Sequence, residues 1–128
     1  MKEKMISFVE GSEPYQVEIS ARLVGDDLVA IVEGGELPHV GAVAVSIPRP
    51  SLADASEVSS STSIFTFVGH KEDMLARTMA AGIASALQRN VVLTTGIHVD
   101  NIPAEGIEVV ENNCRKVLEK LILHFAPR

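Results

Sequence analysis

The sequence predicts an α+β fold: a mainly antiparallel sheet of five strands or slightly more, with two main helices, in the order β-β-β-β-α-β-α. Three observations carry that prediction. Between residues 15 and 47, alternating or β-branched apolar runs are separated by glycine turns. From Lys71 the apolar spacing changes to four, and beyond Pro103 a second helical stripe begins. Between those two helices lies one short apolar stretch, "VVLTTGI".

The first strand is "YQVEISARLV", residues 15–24, where Tyr15, Val17, Ile19, Ala21 and Leu23 share one dry face. "GDD" turns the chain into "LVAIVE", residues 28–33, so the two strands form a hairpin. Gly34 and Gly35 turn it again, and "HVGAVAVSI", residues 39–47, is the third strand, stopped by Pro48 and Pro50. "RPSLADASEVSSST", residues 49–62, has no period and many hydroxyls, so it reads as a long loop, either functional or disordered. "SIFTFV", residues 63–68, is the fourth strand. The helix that follows sets Leu75, Met79, Ile83 and Leu87 on one stripe beside Ala76, Ala80 and Ala84. Gly82 lets this helix approach the sheet closely, and Asn90 caps its end. Residues 91–97 form the fifth strand. Pro103 sits in the first turn of the last helix, whose stripe runs through Ile107, Val110, Cys114, Val117, Leu118, Leu121, Ile122 and Phe125.

At 128 residues the chain is expected to form one domain, residues 1–128. Eleven Lys and Arg against 17 Asp and Glu leave a net charge of −6, which excludes general attraction to nucleic acid or anionic membrane. With no Trp and a single Tyr there is no aromatic platform for stacking bases. Cys114 is alone and cannot form an internal disulfide, which fits a reducing compartment. The N-terminal stretch "MKEKMISFVEGSEPY" lacks the apolar run of a signal peptide, and no apolar run approaches ~18 residues, so a cytoplasmic location is expected. The 46% hydrophobic content exceeds what so small a chain hides alone, and a homodimer through the last helix or an open sheet edge is expected.

Strand directions then gather distant residues. If sequential strands are neighbours, Glu36, His39, His70, Lys71, His98, Asp100 and Asn101 all reach one end of the sheet. The first helix also opens there, with unpaired N–H groups, the positive end of its dipole and the Lys71 charge. Gly69, His70 and Lys71 can thus hold a phosphate or carboxylate. Glu72 and Asp73 suit the same dipole, so a plain helix cap stays open beside the anion site. His39, His70, His98 and Asp100 invite a metal, but their wide spacing matches no compact zinc signature, and histidines that simply end strands are the alternative. Arg49, between two prolines, is either an anion contact or a solvated loop charge. Cys114 lies on an apolar stripe and reads as a core residue. Ser59, Ser60 and Ser61 have no nucleophile-elbow context.

Four short motifs occur in order: Pro38-His39-Val40-Gly41-Ala42, Pro48-Arg49-Pro50-Ser51-Leu52, Gly69 to Asp73 in "GHKED", and Gly96 to Asn101 in "GIHVDN". Across residues 24–102 the chain resembles the small LpdD-like family. The resemblance implies an accessory protein of prenylated-flavin-dependent, UbiD-type aromatic acid decarboxylases such as gallate decarboxylase. It implies a chaperone or maturation role rather than a catalytic one, with prenylated FMN or FMN as a transiently bound cofactor. It also implies a shape similar to small proteasome-assembly chaperones, which pair as dimers. It transfers no catalytic residues. Under it the cofactor-binding candidates are Gly69, His70, Lys71, His39, Arg49, His98, Asp100 and Asn101, with the phosphate at residues 69–73. The scarcity of aromatics leaves the ring system to aliphatic surface, a dimer interface or the decarboxylase. The alternative is a small metal-dependent enzyme using His39, His70, His98 and Asp100.

Overall fold

Eight elements follow one another in the computed structural model, which describes residues 4–67 and 73–127. They are β1 (Ile6–Glu10), β2 (Val17–Val24), β3 (Asp27–Gly35), β4 (Ala42–Pro50), β5 (Val58–Thr66), α1 (Asp73–Leu87), β6 (Val91–His98) and α2 (Ala104–Phe125). The six strands form one sheet in the order β1-β2-β3-β6-β4-β5. All neighbours are antiparallel except β3 and β6. The α+β class and the two helices therefore stand as expected.

Several local expectations are corrected. The sheet has an additional first strand. Ile6 and Phe8 pair with Ala21 and Ile19 on the inner face, but five residues flanked by charge carry too short a period to read. An ion pair between Lys120 and Glu10 ties this strand to α2 and holds the Glu10 carboxyl below its usual range, chiefly through the hydrogen bond. The long loop is instead a hairpin. β4 continues to Pro50 and β5 already begins at Val58. Its hydroxyls are spent across the strands: Ser46 meets Thr62 at 2.8 Å, and Arg49 Nε donates to Ser61 Oγ at 2.8 Å. At an edge, cross-strand hydroxyl bonds substitute for apolar packing, so polarity there concealed a strand.

The third correction concerns β6. Instead of lying beside β5, the strand before it in sequence, it inserts between β3 and β4. Its direction is nevertheless the expected one, because it runs parallel to β3 and antiparallel to β4, as β5 does. Val91, Leu93 and Thr95 are fully buried, which a central strand permits and an edge position does not. Asn90 is not the left-handed residue after α1; Gln88 is, at φ 52°.

Both helices lie on one face of the sheet. α1 packs on β4, β5 and β6, and α2 on β1 and β2. The core between them joins Ile19, Leu28, Val32 and Leu93 of the sheet to Met79, Ile83, Val117 and Leu121. Those positions repeat at two along strands and at three to four along helices, which is why the periods foretold them. Gly82 faces α2 rather than the sheet: a Cβ there would sit 3.6 Å from Leu118 Cδ2. Among the described residues no helix is long and apolar enough to cross a membrane.

Candidate functional site: a cleft at the carboxyl end of β6

The site begins with two glycines. After β3 the chain must fold back over the end of β6. Gly35 makes that turn at φ 76°, a left-handed conformation that disfavours side chains. A Cβ on Gly35 would also lie 2.3 Å from the His98 carbonyl oxygen. Gly96 is tighter still, for a Cβ there would lie 1.4 Å from the His39 carbonyl oxygen. With both spaces empty, the segment 36–41 lies directly on β6. Glu36 N–H donates to His98 O at 2.7 Å, and Gly41 N–H donates to Thr95 O at 2.7 Å.

This seating brings two histidines together. The rings of His39 and His98 meet edge to face, with centroids 6.3 Å apart. His39 Nδ1 donates to Leu37 O at 3.1 Å. His98 Nε2 lies 2.7 Å from Asp100 Oδ1, and the Asp100 amide donates to Glu36 Oε1 at 2.8 Å. Glu36, Asp100 and His98 thus form one chain of polar contacts. Asn101 follows at φ 52°, a conformation asparagine tolerates, and turns the chain towards α2.

Beside the histidines opens a cavity of about 840 Å³, between α1, the end of β6 and α2. Its walls are aliphatic and sulfur-bearing, with Leu75, Met79, Ile97, Ile102, Val110 and Leu118 among them. His39, His98, Glu111 and Arg115 also line it. Arg115 places a guanidinium there, hydrogen-bonded to Asn112 on the same helix. Cys114 belongs to the inner wall. Burial pushes its thiol up to about 12, with the Glu111 charge second, so it stays protonated at neutral pH and is no nucleophile.

The sequence-predicted residues separate into three groups. His39, His98, Asp100 and Asn101 come together at one end of the sheet, with Glu36. Gly69, His70 and Lys71 lie outside the described residues. Arg49 does not join the others. It sits towards the opposite end of β4, in register with Ser59, and its Nη1 donates to Pro50 O at 2.9 Å. Sequence reasoning missed Arg115 and the lining role of Cys114. Glu111 and Arg115 stand one helical turn apart beside Cys114, but only the packing of α2 beside α1 on the sheet turns that face into a cavity wall. Among the described residues no group of three or more His, Cys, Asp and Glu side chains could hold a metal ion, so the metal-enzyme alternative has no donor set there.

An open sheet with helices on one face and a largely apolar cleft at the strand ends defines a small α+β protein. The family profile described as the prenylated flavin chaperone LpdD-like domain matches residues 11–126, and the chain belongs to that family. Protein LpdD of Lactiplantibacillus plantarum (strain ATCC BAA-793 / NCIMB 8826 / WCFS1) is 26% identical over 124 residues, covering 94% of this chain and 88% of that protein. In fold, the chain is similar to one from the crystal structure of a novel chaperone complex for yeast 20S proteasome assembly. That match has a TM-score of 0.54 and 18% identity, over 96% of this chain and 98% of the other. The family supports the accessory, chaperone-type role that the motifs implied.

Proposed function

We propose that this protein holds prenylated FMN, or FMN, in the cleft between α1 and α2, and serves a UbiD-type decarboxylase as an accessory protein. The cleft carries the reading. At about 840 Å³ it falls within the ~300–1,000 Å³ usual for small-molecule sites. Its aliphatic and methionine walls suit a prenyl-bearing ring and can exclude water from it. They also supply the aliphatic surface that a chain poor in aromatics needs. Arg115 at the cleft suits a phosphate, which its guanidinium can contact with two N–H groups. Gly69, His70 and Lys71 remain the sequence-based anion candidates. His39 and His98 line the polar side of the cleft, and Asp100 fixes the orientation of His98.

Calorimetry with prenylated and plain FMN tests the reading. Losing one charge-assisted phosphate contact costs about 1.5–3 kcal/mol. Arg115→Ala and Lys71→Ala should therefore each weaken binding roughly ten- to a hundredfold if both touch the phosphate. If the wild-type protein binds neither flavin at millimolar concentration, the isolated protein is not a flavin carrier. If it binds and both variants bind equally well, the phosphate lies elsewhere. Co-purification with a neighbouring decarboxylase, with and without flavin, tests the partner.

A further inference from the structure

The face of the sheet opposite the helices is apolar over half its width. Ile31 of β3, Val92 of β6, Val45 and Ile47 of β4, and Phe65 with Phe67 all stand exposed on it, each between 36% and 66% accessible. The register makes them contiguous. Val92 lies opposite Val45, Val43 lies opposite Phe65, and the Phe65 and Phe67 rings meet edge to face with centroids 5.6 Å apart. Between them alternation places Thr94, Ser61 and Ser63, so the centre of the patch carries no charge. Six such side chains, each a third to two-thirds accessible, make a patch of the few-hundred-Å² size that marks an interaction surface, and the uncharged strand positions between them extend it towards the ~800 Å² each partner contributes to a stable interface.

We propose that a second copy of this chain covers this face, sheet against sheet, with the helices outermost on both sides. The occupant must be flat, apolar, as broad as four strands, and uncharged at its centre. Another copy of the same face meets each requirement. Sheets of the same twist pack aligned at about −30°, and a two-fold axis lying between the faces makes the contact self-complementary. Charge agrees. The chain as a whole carries −6, so two copies repel at long range. The charged residues that alternation places on this face, Glu18, Asp27 and Glu33 with Arg22 and Arg49, are of both signs and lie at its margins, outside the apolar centre. A polar rim around an uncharged, aromatic-containing centre is the usual anatomy of an interface.

Light scattering and sedimentation at micromolar concentration should give twice the 13.7 kDa chain mass. Val45→Glu and Phe65→Glu should each weaken self-association at least a hundredfold while leaving circular dichroism unchanged. Leu123→Glu, on the exposed side of α2, should leave the dimer intact. A wild-type monomer across dilutions overturns the proposal. So does a dimer that survives both sheet-face variants, or one that only Leu123→Glu breaks. Should those variants unfold, the wild-type protein labelled with fluorophenylalanine decides. A soluble paramagnetic agent should spare the resonances of Phe65 and Phe67; broadening of both shows an open face and overturns the proposal. None of these measurements depends on flavin, so the carrier reading and this one fail separately.

Discussion

Replacing Gly96 by alanine should lower the melting temperature by about 10 °C. A Cβ at this position would lie 1.4 Å from the His39 carbonyl oxygen, far inside any real contact. Neither side can retreat cheaply. β6 is held on both flanks, by β3 and by β4. The segment above it is fixed through the bonds from Glu36 N–H to His98 O and from Gly41 N–H to Thr95 O, both 2.7 Å. Overpacking costs about 1–3 kcal/mol and each lost backbone bond about 1 kcal/mol. A total near 3 kcal/mol follows, and a chain of this size loses roughly 3–5 °C per kcal/mol. Gly25→Ala supplies the contrast. Gly25 has φ 61° but nothing within 4 Å of its added Cβ, so only backbone strain of about 1 kcal/mol applies. Thermal unfolding of both variants checks this. Equal melting temperatures for Gly96→Ala and wild type would mean that the His39 segment does not rest on β6. Because the same segment seats His39 against His98, the variant should also weaken flavin binding even where it remains folded.

Cys114 should make stability fall on the alkaline side. Burial, and next the Glu111 charge, raises its thiol from 9.0 to about 12 in the folded protein. Between those values the unfolded chain has released the proton and the folded chain still holds it. The contribution is complete below pH 9 and is lost as the pH climbs towards 12. At 1.36 kcal/mol per unit the full loss is about 4 kcal/mol, and about 2 kcal/mol has gone by pH 10.5. Denaturant unfolding at pH 8 and pH 10.5 measures it. The wild-type protein should lose about 2 kcal/mol more over that interval than Cys114→Ala, whose small packing defect is the same at both pH values. Equal losses would show that water reaches the thiol. The inner wall of the cleft would then be wet, which also bears on how well it can shelter a prenylated ring.

Periodicity alone placed the amphipathic elements of this protein. Val17, Ile19 and Ala21 repeat at two, and Met79, Ile83 and Leu87 at four, because burial on one face is a local requirement that each element meets with its own residues. Strand direction was legible for the same reason, and with it the meeting of His39, His98 and Asp100, since each hairpin or crossover reverses or restores direction whatever the neighbours are. Neighbour choice was not legible. That β6 enters between β3 and β4 depends on two long-range pairings made together, and Val91, Leu93 and Thr95 look the same in sequence beside any apolar strand. The hydroxyl-rich first half of β5 escaped because Ser46–Thr62 and Arg49–Ser61 satisfy it across the ladder rather than by burial. The cleft escaped most completely. Arg115 and Cys114 stand on α2, Met79 on α1 and Ile97 on β6, and a cavity is the space that packing leaves between them. Only the tertiary structure decides that space, because its shape depends on how α1 and α2 lean on the sheet and on each other.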